Sequence, residues 1–199
     1  MLTDSNNDKF IVKWENRDTL SYHIEGELTY ISRKAWDQYI QEIEELIGLQ
    51  IVEVDNRNVA DIQVYFGALE DYFEEHRISF TGEIESEKFD NWHNRTFNEN
   101  KELITASYCI VPSKAYEYDR GTYNVKNLFL KSLGHLGNLF KNNMLIALDS
   151  GLAQTKFTRQ DKRIVKIHYD SRIKSGMSLK EVNAVLNAMD LQLLINEKF

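Results

Sequence analysis

Five histidines and a single cysteine are the side chains here best suited to hold a transition metal or to act as a nucleophile. His135 has the most suggestive setting. It lies in the run Asn124–Leu139, NVKNLFLKSLGHLGNL, where Val125, Leu128, Phe129, Leu133, Leu136 and Leu139 recur mostly three or four apart. That spacing predicts an amphipathic helix over 124–139, stopped by Gly137 and Asn138, two residue types that readily turn left-handed. Two imidazoles four residues apart on such a helix converge on one zinc ion, and a glutamate beside the first activates a bound water. Here Lys131 and Ser132 stand in those two places. An ammonium offers no lone pair near neutral pH, and a serine hydroxyl is no carboxylate base. Position 141, where a third histidine would complete the ligands, is also a lysine.

The chain therefore carries no predicted catalytic residue and no predicted cofactor. An unorthodox metal site would have to join His135 to His76, His93 or His168, and nothing in their spacing is diagnostic. The plain role for His135 is a histidine satisfied by a local hydrogen bond near a helix C-terminus, where a positive ring suits the dipole. His23 reads as a surface or edge residue. Lys131 has two readings. Its ammonium could occupy a former metal position and neutralise nearby acids, or it is an exposed helical lysine. Cys109 sits in an apolar run and reads as a buried small hydrophobe, and one cysteine excludes an internal disulfide.

Several elements must position these residues. Phe10–Trp14 and Leu20–Ile24 alternate around Asn16-Arg17-Asp18 and predict a β-hairpin. Ser32 reads as the N-cap of a helix through Trp36, Tyr39, Ile40, Ile43, Leu46 and Ile47, ended by Gly48. Strands are expected at Gln50–Val54, Asp61–Phe66 and Leu103–Val111, the last closed by Pro112. Residues 67–100 mix acids with aromatics without a steady period and read as a long insertion, a solvated lid over core-anchoring aromatics or a recognition surface. Thr158 with Asp161 and Ser178 with Glu181 predict two capped helices near the C-terminus.

Composition bounds the function. The 199 residues, 42% of them hydrophobic and 12% aromatic, can bury the core of one domain. A net charge of -7 without a compact basic stripe argues against nucleic acid as a partner. No stretch reaches the roughly 18 consecutive apolar residues of a membrane span. The segment MLTDSNNDKF shows no charged-then-apolar signal sequence.

Against the zincin helix H-E-x-x-H-x-x-G, the segment Lys131-Ser132-Leu133-Gly134-His135-Leu136-Gly137-Asn138-Leu139 resembles HELGHALGL with its chemistry removed. Leu133, Gly134, His135 and Leu139 match, and Asn138 stands in for the terminating glycine. The expected element order is similar to the N-terminal half of metzincin-type zinc peptidases. Phe157–Asp170 looks like the last helix of that fold, and Tyr169–Ser178 resembles the YDPRIRPGM tail of a bacterial zincin-like family of unknown function with eroded metal motifs. The methionine turn has no match, since Ser150-Gly151-Leu152 lacks the methionine. The resemblance implies a single α+β domain over 1–199, zincin-like, with a mixed sheet, a central degenerate active-site helix and C-terminal helices. It also leans towards an extracytoplasmic protein. The expected function is non-catalytic binding of a peptide or protein through the former cleft or the 67–100 insertion, with Leu103–Val111 as the edge strand a peptide would join. The alternatives are a metal-dependent hydrolase with rearranged ligands, for which zinc would be the cofactor, and an interaction subunit docking through its aromatic insertion.

Overall fold

The computed structural model describes residues 2–3, 9–76, 91–112, 118–134, 145 and 154–189. The chain is α+β. Two short antiparallel strands, β1 (Leu2–Thr3) and β2 (Lys9–Phe10), precede β3 (Thr19–Glu25), α1 (Arg33–Ile47), β4 (Gln50–Glu53) and β5 (Ile62–Phe66). Then come α2 (Leu69–Glu75), β6 (Asn91–Phe97), β7 (Leu103–Ile110), α3 (Tyr118–Ser132), α4 (Arg159–Tyr169) and α5 (Leu179–Ala188). The main sheet has five strands in the order β4-β3-β5-β7-β6. The first four run parallel, and β6 lies antiparallel to β7 at one edge.

Local chemistry fixes the helices. The Ser32 side chain accepts from the Ala35 amide at the start of α1, and Gly48, left-handed with φ 72°, returns its N–H to the Glu44 carbonyl. Both C-terminal capping boxes form, Thr158 with Asp161 and Ser178 with Glu181. Along β3, β5 and β7 alternate residues face one layer: Leu20 and Tyr22, Ile62, Val64 and Phe66, then Ala106, Tyr108 and Ile110. On them pack Trp36, Tyr39, Ile40 and Ile43 of α1, Leu128 and Phe129 of α3, and Leu133 just after it. Trp36 is the centre of this layer, edge-on to Tyr22 and Phe129 and donating its indole N–H to the Tyr22 hydroxyl at 3.1 Å. The opposite sheet face is covered by α2, whose Leu69, Tyr72 and Phe73 meet Cys109, Val111, Tyr65 and Trp92. Cys109 is the buried hydrophobe its apolar run indicates, and burial, helped by Glu70, pushes its thiol up to about 12.

Three expectations are corrected. Phe10–Trp14 makes no hairpin with β3, because β3 has a parallel neighbour on each side. The segment instead runs extended between the C-terminal tail and β7: Ile11 donates to Met177 O (2.9 Å), Gly176 to Ile11 O (2.9 Å) and Leu103 to Lys13 O (3.0 Å). Leu103–Ile110 is an interior strand, and the edge belongs to β6, drawn with α2 from the stretch read as an insertion. Finally, α3 begins at Tyr118 and stops at Ser132, short of Gly137 and Asn138. Residues 77–90, the rest of the insertion, lie outside the described residues, as do His135 and Asn138.

Candidate functional site: the end of α3 and the edge strand β6

The register of β6 decides which of its side chains can do chemistry. His93 pairs with Tyr108 and Arg95 with Ala106, both residues of the face that carries α3, so His93 and Arg95 share that face. Trp92, one step out of phase, goes to the opposite layer, edge-on to Phe73. Arg95 then reaches the end of α3 and donates to the carbonyls of Lys131 (3.0 Å) and Gly134 (3.2 Å), two acceptors of the kind helix ends leave over. Its other nitrogen donates to His93 Nε2 at 3.4 Å, which casts that nitrogen as an acceptor.

The end of α3 is fixed by tertiary contacts. Gly134 takes φ 148°, and a Cβ there would come within 2.4 Å of the Val12 carbonyl and 2.7 Å of His168 Nε2. Only glycine fits. Below it, Trp14 donates to Ser132 O (2.9 Å), and the Tyr169 hydroxyl donates to Leu133 O. His168 is buried and donates from Nε2 to Val12 O at 3.1 Å. The tail resembling YDPRIRPGM therefore acts as a prop under the helix terminus. Its Ser175 hydroxyl donates to Lys13 O (3.1 Å), while its amide donates to Glu15 (2.9 Å).

The described basic side chains gathered here act on one another. Lys131 is half-buried, and its amine is pushed down to about 8 by loss of water and by the Arg95 guanidinium. His93 is held below the ordinary imidazole range by desolvation and by the Arg95 and Lys131 cations. Its ring is still exposed, so the two like charges are the firmer part of that shift. Lys131 is half-buried rather than fully exposed, and the charged group that acts on it among the described residues is the Arg95 guanidinium. Ser132 is buried, with its hydroxyl donating to Phe129 O at 2.6 Å, so it turns into the helix.

Of the sequence candidates, the fold gathers Lys131 and His93 at one end of α3 and sets His168 behind Gly134. His76 goes elsewhere. Its ring packs 4.4 Å from that of Tyr72, in the layer on the opposite sheet face. Among the described candidates the donors do not fit zinc: His93 Nε2 accepts from Arg95, His168 Nε2 donates to a backbone carbonyl, and position 131 is a lysine. Among the described residues no group of three or more His, Cys, Asp or Glu could hold a metal ion. Sequence reasoning missed Arg95. The alternation in Asn91–Phe97 was its only signal, and the polar residues around it hid the strand.

A concavity, about 620 Å3, lies among Glu15, Asn16, Asn100, Glu102, Lys174 and Glu181. Three of its acids are committed. Glu15 pairs with Lys13 (3.7 Å) and Lys174 (3.6 Å), Glu102 takes the Asn98 amide (2.8 Å), and Glu181 closes the α5 cap. The side chains gathered at the end of α3 are the candidate site the sequence motif points to.

No helix among the described residues is long and apolar enough to cross a membrane. A search of curated proteins finds no match. A family model does match: over residues 3–188, nearly the whole chain, the protein fits the family described as protein of unknown function (DUF2927), and it belongs to that family.

Proposed function

We propose that this protein is a zincin-like, non-catalytic binding protein that receives an extended peptide segment of a partner along β6. The element order supports the zincin-like reading: parallel strands around α1, an antiparallel edge strand, then a helix ending beside that edge and a tail folded back beneath it. One observation carries the functional reading. The edge strand turns His93 and Arg95 towards the end of α3, so a peptide joining β6 would lie along a wall whose floor carries Lys131. No described strand pairs with the far side of β6, and the Arg95 amide takes its neighbour's Asn94 side-chain oxygen at 2.9 Å in place of a strand carbonyl. A guest strand would supply main-chain bonds there, and pockets for alternate side chains would supply selectivity.

Hydrogen exchange on the full chain tests this. Peptides of alternating apolar and polar residues, blocked at both ends, should slow exchange at Asn91–Phe97 and leave α5 unchanged. Binding that protects α5 or the tail and leaves β6 exchanging freely would overturn the reading.

A further inference from the structure

We propose that the recess of about 620 Å3 between segment 13–16, the β6–β7 turn and the tail is a binding site for an organic cation, an ammonium or guanidinium on an extended carrier. Glu99 is its direct contact, and Glu102 and Glu181 offer one oxygen each. The recess uses none of the residues at the end of α3, and strand addition at β6 can fail without it.

Free acceptors lie on its walls. Four glutamates and two lysines line the recess. Glu15 is occupied by Lys13, Lys174 and the Ser175 amide. Glu102 and Glu181 are engaged through Oε2 alone. Glu102 takes the Asn98 side-chain amide at 2.8 Å, and Glu181 takes the Ser178 amide (2.8 Å) and hydroxyl (2.7 Å). Glu99 is exposed and makes no ion pair or hydrogen bond among the described residues.

The rim already holds a cation of the chain's own. Lys101 lays its ammonium over Phe10, 4.6 Å from the ring centre, and over Phe97 at 5.4 Å. The two rings pack edge to face at 6.5 Å, and their π-faces attract positive charge. Lys101 reaches this seat from a left-handed backbone, φ 65°, which a residue with a Cβ adopts at a cost. Its amide closes the turn on Asn98 O at 3.0 Å.

The spacing of the acceptors selects the kind of cation. Among the described residues no group of three or more His, Cys, Asp or Glu could hold one metal ion. The carboxylates are spread along the recess rather than aimed at a point, which suits a cation carried on a chain. The walls are tied before a ligand arrives: Gly176 donates to Ile11 O at 2.9 Å, and a Cβ on it would stand 3.0 Å from the Asn100 carbonyl.

Amide NMR spectra of the full-length protein test the site. The probes are spermidine, N-acetyl-Gly-Arg-Gly-Arg-Gly amide, the same peptide with Gln for Arg, and calcium chloride. At least one organic cation should shift the amides of Asn100, Lys101 and Gly176, and the Gln peptide should leave them in place. A response to spermidine alone names a free amine as the ligand, and a response to the Arg peptide alone names a basic segment of a partner. Glu99→Gln should weaken binding about two- to fivefold, the range of one exposed ion pair. Glu45→Gln, on α1 and outside the recess, removes the same charge and should leave affinity unchanged. Lys101→Asn tolerates the left-handed backbone, vacates the aromatic seat and should tighten binding. All three variants should keep their unfolding transition. Equal loss in Glu45→Gln and Glu99→Gln would reduce the effect to general attraction by an acidic chain and overturn the proposal. Weaker binding to Lys101→Asn, equal shifts with the Gln peptide or with calcium, or no shift with either organic cation would also overturn it.

Discussion

At the scale of the residue, burial decides what each titratable group can do. His168 illustrates it. Burial, with the Lys13 ammonium nearby, pushes its imidazole down to about 3, and its Nε2 proton is committed to the Val12 carbonyl. The folded state therefore keeps this ring neutral where an unfolded chain would protonate it. Between the unfolded value near 6.5 and the folded value, the unfolded state binds the extra proton, so stability is lost as pH falls through that window. The expected loss from His168 alone is about 2 kcal/mol between pH 7 and pH 5. Urea unfolding at the two pH values measures it, and His168→Gln, already uncharged, should show a shallower fall than the native chain. Nothing in the sequence around His168 announces this role, because the carbonyl it serves is 156 residues away.

At the scale of the element, what was legible is what is local. Ser32 and Gly48 delimit α1 because caps act within one turn, and the two capping boxes are readable for the same reason. Asp161 adds a longer reach. It is fully buried and accepts from the Thr158 amide (2.7 Å) and from the Leu145 amide (3.2 Å) as well as closing the box. Asp161→Ala should therefore cost more than an ordinary cap, about 2–3 kcal/mol, because the buried Leu145 amide and the half-buried Thr158 amide both lose their acceptor. Thermal or urea unfolding checks this, with Ser178→Ala near 1 kcal/mol as the exposed comparison. Elements fixed by distant partners were not legible. Alternation in Phe10–Trp14 shows an extended segment without naming its neighbour, so a hairpin was expected where the chain runs between tail and β7. In Asn91–Phe97 exposed polar residues masked an edge strand. The end of α3 depends on Val12 fitting against Gly134, which no window around position 134 contains.

At the scale of the molecule, the α+β sheet, the Pro112 boundary and the membership of one family covering residues 3–188 agree with a chain organised around one main core. The three pieces that meet at the end of α3 come from far apart: segment 10–15, β6 and the α3 terminus, with the tail of residues 169–178 holding them. Under the proposed zincin-like reading, Lys131 and Ser132 stand where a zinc peptidase would need a histidine and a glutamate. Its central consequence concerns metal. Elemental analysis of full-length protein purified without chelator or added zinc, with His93→Ala and His135→Ala alongside, tests it most directly. The expected result is zinc far below one equivalent in all three proteins. Near-stoichiometric zinc in the native chain, lost in either variant, would contradict the non-catalytic reading and restore a metal centre with a rearranged ligand set.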